Sequence, residues 1–272
     1  MNTKRVSTIL LFSAAFCWAG AQTERQSLAE RQANPVEQEQ TAFERNVLHG
    51  WDWSVGAGME LGGMAPLPLP REIRKIESYN PLLNFYVEGV AEKRIEGAWY
   101  LRTGLRLEQK GMKTKARVKN YHMEMTADDG GYMEGAWTGM VETKAHNIYL
   151  TLPVTVSYHF EDDRWEAHAG PYFSFLLNGG FSGAAYDGYI RHHDPTGEKA
   201  YVTHATYDFG DEERFFAWGL QLGGSYHWNR HWGVVADLAW NANGIFPGDF
   251  ESITFALYPV YAKFGISYRL NR

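Results

Sequence analysis

Four short stretches carry side chains that could hold or transform a ligand. His192-His193-Asp194, with Asp187 nearby, offers the imidazole and carboxylate donors that zinc takes. No second spaced pair of donors accompanies them, so the stretch reads as a solvated loop. Asp208, Asp211, Glu212 and Glu213 supply oxygens suited to calcium, but as an isolated run they read as a solvated face. Asp208-Phe209-Gly210 matches a kinase triplet without the Lys-bearing strand or His-Arg-Asp loop that would give it meaning. Gly56-x-Gly58 lacks the third glycine and the following helix of a dinucleotide site. His168 and His227 have no nucleophile beside them and read as hydrogen-bonding side chains. The expectation is a chain with no catalytic residue, no metal site and no cofactor, and not an enzyme.

Most of the other charges follow a rule. From Trp51 onward they alternate with apolar residues at a period of two, the spacing of a β-strand with unlike surroundings on its faces. Eight such segments appear: 51–61, 83–92, 98–110, 147–159, 165–177, 216–228, 232–241 and 255–270. The connections at 93–97, 160–164 and 229–231 are short, whereas 62–82, 111–146, 178–215 and 242–254 are long. Connections longer than about 12–15 residues are rare in a compact soluble domain, and here long ones alternate strictly with short ones. That alternation is the habit of an outer-membrane barrel, with short periplasmic turns and long external loops. The fold expected is all-β: an eight-stranded antiparallel up-and-down transmembrane barrel over residues 51–272.

The phase of each strand says which face is which. Glu88, Arg102, Arg106, Glu108, Glu166, Asp237, Lys263 and Arg269 share one face with Tyr86, Tyr100, Tyr149, Tyr172 and Tyr261. The opposite face carries the leucines, valines and isoleucines. Trp51, Trp53, Trp99, Trp165, Trp218, Trp228, Trp232 and Trp240 all fall on that apolar face, near strand ends. Tryptophan favours the membrane–water boundary, apolar in body and wet at its N–H, so these residues read as an aromatic girdle. The charged face then lines a lumen. A barrel of eight strands is only wide enough for side chains to fill it, and charges kept from water must pair, so no diffusion pore is expected. A soluble lipocalin-like carrier is the rival fold, with charge outside and an apolar cavity inside. So many tryptophans would overfill that cavity.

The N-terminal stretch fits export. Lys4 and Arg5 precede an apolar run to Trp18 and then Ala19-Gly20-Ala21, the layout of a secretory signal peptide over residues 1–21. Its removal takes away the only cysteine, Cys17, and moves the formal net charge from −6 to −8 by the loss of Lys4 and Arg5. That acidity argues against nucleic acid as a partner. Residues 22–50 are rich in Gln and Glu and read as a polar periplasmic lead-in with too little apolar content for a core. The partners expected are outer-membrane lipid and proteins met through the external loops or the lead-in. Pro153 and Pro171 sit mid-strand; if Phe160 pairs with Asp163, Pro153 faces Gly170, and the ladder should break there.

Gln109-Lys110-Gly111, Leu152-Pro153, Gly170-Pro171-Tyr172 and the closing Gly265-Ile266-Ser267-Tyr268-Arg269-Leu270, in that order and at those strand positions, resemble the PorT-type outer-membrane β-barrel family of the porin-like superfamily. The likeness runs from about Trp51 to Leu270. It implies a small barrel of the cell envelope, non-enzymatic, working as an interaction or assembly component, with secretion of proteins across the outer membrane as the specific role. A barrel enzyme acting on lipid or peptide is the alternative.

Overall fold

A computed structural model describes residues 50–128, 130–192, 196–250, 252–253 and 255–270. The expected signal peptide, and the lead-in as far as residue 49, lie outside the described residues. Within them the chain is antiparallel sheet, with one 3-10 turn at Gly210–Glu212. The strands are β1 (Trp51–Pro66), β2 (Ile73–Asn80), β3 (Asn84–Glu96), β4 (Trp99–Ala127), β5 (Tyr132–His159) and β6 (Trp165–Asn178). They continue as β7 (Phe181–Arg191), β8 (Ala200–Asp208), β9 (Phe216–His227), β10 (Trp232–Asn241) and β11 (Leu257–Arg269).

Eleven strands, not the expected eight, make up the sheet among the described residues. The pairing order is β2-β4-β3-β1-β11-β10-β9-β6-β5-β7-β8, and β4 also pairs with both β5 and β8. The β4–β8 pair closes a ring of ten strands; the β4–β5 pair closes an inner circuit of eight, β1, β3, β4, β5, β6, β9, β10 and β11. The additional strands lie where the sequence suggested loops. β2 occupies part of 62–82, β7 and β8 occupy part of 178–215, and 111–146 is mostly the continuation of β4 and β5. These stretches escaped a period-two reading because bulges reset the phase. The β4–β5 register slips between Val118 and Tyr121, at Asn120 with φ +53°, and the β5–β7 register slips between Thr138 and Met140.

The same face of β4 changes character along its length. Arg102, Arg106, Glu108 and Lys110 are buried, and beyond them Met112, Val118, Tyr121, Met123 and Met125 are buried in turn. The apolar part belongs to a cluster that also takes in Trp137, Val141, Ile190, Val202, Ala205, Tyr207, Phe246 and Leu257. β4, β5, β7 and β8 wrap this cluster in a four-membered ring of pairings. Glycine makes room at its centre: a Cβ on Gly188 would lie 2.3 Å from the Thr138 carbonyl oxygen and 2.6 Å from the Trp137 ring, which is itself 0% exposed. The loop between β10 and β11 is drawn in by Arg214, which donates to the carbonyls of Gly244 at 3.3 Å and Phe246 at 3.0 Å.

The β5–β6 hairpin corrects one register. Asp163 N–H donates to the Phe160 carbonyl at 2.9 Å inside the turn, and Phe160 pairs with Trp165 at 3.0 Å. Pro153 therefore faces Tyr172 instead of Gly170. The ladder does break beside it: Val154 and Thr155 have no register partner opposite Gly170 and Pro171.

Candidate functional site

Period-two alternation delivers the charged residues to one side of the inner circuit. Glu88, Arg102, Arg106, Glu108, Glu166, Asp237, Lys263 and Arg269 are each at most 9% exposed. The outward residues between them are open: Leu222 is 61% exposed, Val55 46%, Phe264 51% and Leu238 49%. This is the reverse of a soluble domain, where large apolar side chains are the ones withdrawn from water.

The interior charges are joined into a network. The Arg106 guanidinium donates to Glu88 at 3.0 Å, to Glu108 at 3.3 Å and to Gln221 at 3.1 Å. Lys263 lies 2.8 Å from Glu88 and 2.5 Å from Asp237, and Asp237 is 2.8 Å from His168. Thr151 donates to Glu108 at 2.7 Å. Nearer the short turns, Arg102 meets Glu92 at 3.0 Å, Ser225 donates to Glu166 at 2.6 Å, and Arg269 pairs with Glu166. All eight residues singled out by phase thus face the interior and fall into two groups of ion pairs, one around Arg106 and one around Glu166.

Several members were not singled out from the sequence. Lys110 reaches Glu108 at 2.6 Å and lies 5.5, 5.5 and 5.7 Å from the ring centres of Tyr149, Tyr172 and Tyr261. Its ammonium is held by cation–π attraction as well as by the carboxylate. Its phase is that of Arg102 and Arg106, so the signal was present but masked by its place at an apparent strand end. Glu60, 2% exposed, is the β1 register partner of Lys263, and Glu92 shares the phase of Glu88. His159 closes β5 and was hidden by the turn that follows it.

Trp53, Trp99, Trp165, Trp218, Trp228, Trp232 and Trp240 face outward, between 36% and 55% exposed, while Trp51 is partly buried. Trp99 packs edge-on against Tyr158 at 5.0 Å, and Trp232 against Tyr268 at 4.9 Å. The outward aromatics of neighbouring strands thus touch at the short-turn end.

In the extension, the four acidic residues at 208–213 divide into different environments. Asp208 accepts the Gly210 N–H at 3.0 Å, and Asp211 and Glu212 are exposed. Glu213 is buried beneath the Asn147 amide, which donates to it. Burial pushes the Glu213 carboxyl up to about 7. His192 is exposed, with its Nδ1 3.1 Å from the Glu134 carbonyl oxygen; His193 and Asp194 lie outside the described residues. Asp187 is exposed within β7, at a left-handed position with φ +52°.

Three solved structures show what the chain resembles. A major outer membrane protein from Thermus thermophilus aligns at 18% identity over 82% of this chain and 100% of its own, with a TM-score of 0.37. The attachment invasion locus protein Ail of Yersinia pestis aligns at 9% identity over 81% and 97%, with a TM-score of 0.32. The outer membrane protease OmpT from Escherichia coli aligns at 11% identity over 82% and 97%, also at 0.32. No curated protein matches the sequence. The model of the outer membrane protein beta-barrel domain matches residues 21–246, and the chain belongs to that family.

Proposed function

We propose that the inner circuit of eight strands is an up-and-down barrel spanning the outer membrane, with a side-chain-filled lumen, and that the extension of β4, β5, β7 and β8 is its external working part. The observation that carries this reading is the inverted polarity of the circuit: paired charges inside, leucine and valine outside, tryptophans toward the strand ends. The lumen network supports a closed barrel with no diffusion pore. The buried His168–Asp237 pair belongs to the same network, which supports a non-enzymatic reading.

The extension has its own apolar core, with Tyr201 and Tyr132 78% and 64% exposed on its surface. A rigid external platform of this kind suits recognition of another protein, and the partner is a component of envelope assembly or protein secretion. The resemblance to PorT-type barrels supports the narrower version, and two of its short motifs meet in space: Lys110 lies over the Tyr172 ring at 5.5 Å. The test is site-specific photo-crosslinking in intact cells. A probe at Tyr132 or Tyr201 should capture one defined envelope protein, a probe at Leu222 should capture only lipid, and loss of residues 113–143 should abolish capture while the barrel still assembles. Capture from Leu222 alone would sink the proposal.

A further inference from the structure

At the short-turn end of the interior, Glu92, His159 and Glu166 converge from β3, β5 and β6 with donor atoms all within 4.8 Å of one another. They are 7%, 4% and 3% exposed. His159 Nε2 stands 3.5 Å from one Glu92 oxygen and 3.7 Å from one Glu166 oxygen. These separations exceed the roughly 2.7–3.2 Å of an N–H···O hydrogen bond, and neither ring nitrogen of His159 has a hydrogen-bond partner. Such a spacing is natural around a metal. Ligands at about 2.0–2.2 Å in a tetrahedron stand about 3.4 Å from each other.

The surroundings are arranged as a metal site's would be. The other Glu92 oxygen accepts from Arg102 at 3.0 Å and Ser157 at 3.3 Å, and the other Glu166 oxygen accepts from Ser225 at 2.6 Å. Each carboxylate is therefore anchored on one oxygen and turned toward His159 with the other. The Tyr100 ring stacks on the imidazole at 3.9 Å and fixes its plane. Asp163 lies 3.7 Å from His159 Nδ1, close enough to add negative charge beside the imidazole but beyond hydrogen-bond reach. His159 and Glu166 are register partners, so backbone pairing itself sets them side by side. His227 Nδ1, 3.8 Å from the same Glu166 oxygen, stands next to the remaining coordination position.

We propose that Glu92, His159 and Glu166 form a site for a divalent transition-metal ion of zinc-like preference, and that Arg269 holds the cation's place when the metal is absent. Arg269 pairs with the Glu166 oxygen that faces His159. It also lines, with His227, Asp162 and Asp163, a cavity of about 430 Å³ at the short turns, into which its guanidinium can withdraw. Exchange of Arg269 for a dication raises the local charge by one unit, and Asp163 faces the site to offset it. The ion would tie together the ends of β3, β5 and β6. The sequence gives no sign of it, because the donors stand alone on separate strands.

The test uses the untagged protein refolded into detergent micelles, cleared with a chelator and titrated with Co²⁺, whose visible d–d absorption reports tetrahedral donors. Saturable, stoichiometric absorption that Zn²⁺ displaces is expected. His159→Gln and Glu92→Gln should each weaken binding by roughly tenfold or more, and Arg269→Gln should strengthen it. No d–d absorption in the parent protein overturns the proposal. So does absorption that survives His159→Gln, which would assign it to surface histidines. If His159→Gln does not assemble, Arg269→Gln decides alone: tighter Co²⁺ binding supports the site, and equal or weaker binding overturns it.

Discussion

Arg106 and Gln221 are hydrogen-bonded at 3.1 Å although their strands, β4 and β9, share no backbone pairing. The contact crosses the interior of the circuit, from one wall to another. With Lys110 enclosed by three tyrosines further along, the passage is bridged at more than one level. The protein reconstituted in planar bilayers should therefore show no large steady conductance, and a persistent open channel would contradict the filled interior.

Arg106→Ala strips Glu88 and Glu108 of a shared cation while leaving both carboxylates buried. Breaking a buried pair from one side costs about 3–5 kcal/mol. Urea unfolding in lipid vesicles should show a loss of that size. A loss below about 1 kcal/mol would mean that these charges are solvated like a surface pair.

Leu222 and Leu238 are register partners on the outward face of β9 and β10. Leu222→Arg should cost about 2–4 kcal/mol in a bilayer if that face meets lipid near its midplane. Tyr201→Arg, on the extension, should change stability by no more than about 0.5 kcal/mol. Heat-modifiable migration on denaturing gels, followed through a urea series, separates the two. Equal tolerance of both would remove lipid from the outward face.

Trp137 is fully buried between Gly139 and Gly188 in the extension. Trp137→Ala should open a cavity costing about 3–5 kcal/mol. The loss should fall on the extension: limited proteolysis should cut between β7 and β8, while heat-modifiable migration of the barrel persists. If migration fails as well, the two regions do not fold as separable layers.

Glu213 supplies the pH dependence. Burial raises its carboxyl from 4.5 to about 7, so between those values the folded protein holds a proton that the unfolded chain has released. The stability it contributes is full below 4.5 and is lost as the pH rises through about 7. Amide exchange around Gly179 and Gly180 should therefore be slower at pH 5 than at pH 8, after correction for the intrinsic rate. Glu213→Gln, which mimics the protonated acid, should flatten that difference; an unchanged profile would exclude this carboxyl as its source.

The inner circuit was legible because its strands keep one phase over most of their length. In β10, Val234, Ala236 and Leu238 face out and Val235, Asp237 and Ala239 face in, with no bulge to confuse the phase. The extension was not legible for the opposite reason. Ser182, Gly183, Ala184 and Ala185 of β7 show no alternation because small residues are needed on that strand: a Cβ on Gly183 would lie 2.4 Å from the Tyr207 hydroxyl. The size of Gly183 is dictated by the Glu142 carbonyl on β5 and the Tyr207 ring on β8, and such complementarity is invisible until the partners are known. The interior network was half-visible. Phase found Glu88 and Arg106, but the convergence of Glu92, His159 and Glu166 depends on register among three strands, which no single segment encodes.

β4 and β5 run for 29 and 28 residues from the short-turn end to the hairpin tip. At about 3.3 Å per residue, the part of β4 beyond Lys110 adds roughly 55 Å of continuous backbone. It is not a tethered loop but a mast stepped into the keel. Tyr132 is joined to Arg106 and Lys110 by the same β4–β5 ladder, whose register slips near Asn120. A load applied at the tip would therefore reach the interior through paired strands, with the irregular step near Asn120 as the one place along the extension where β4 and β5 lose register.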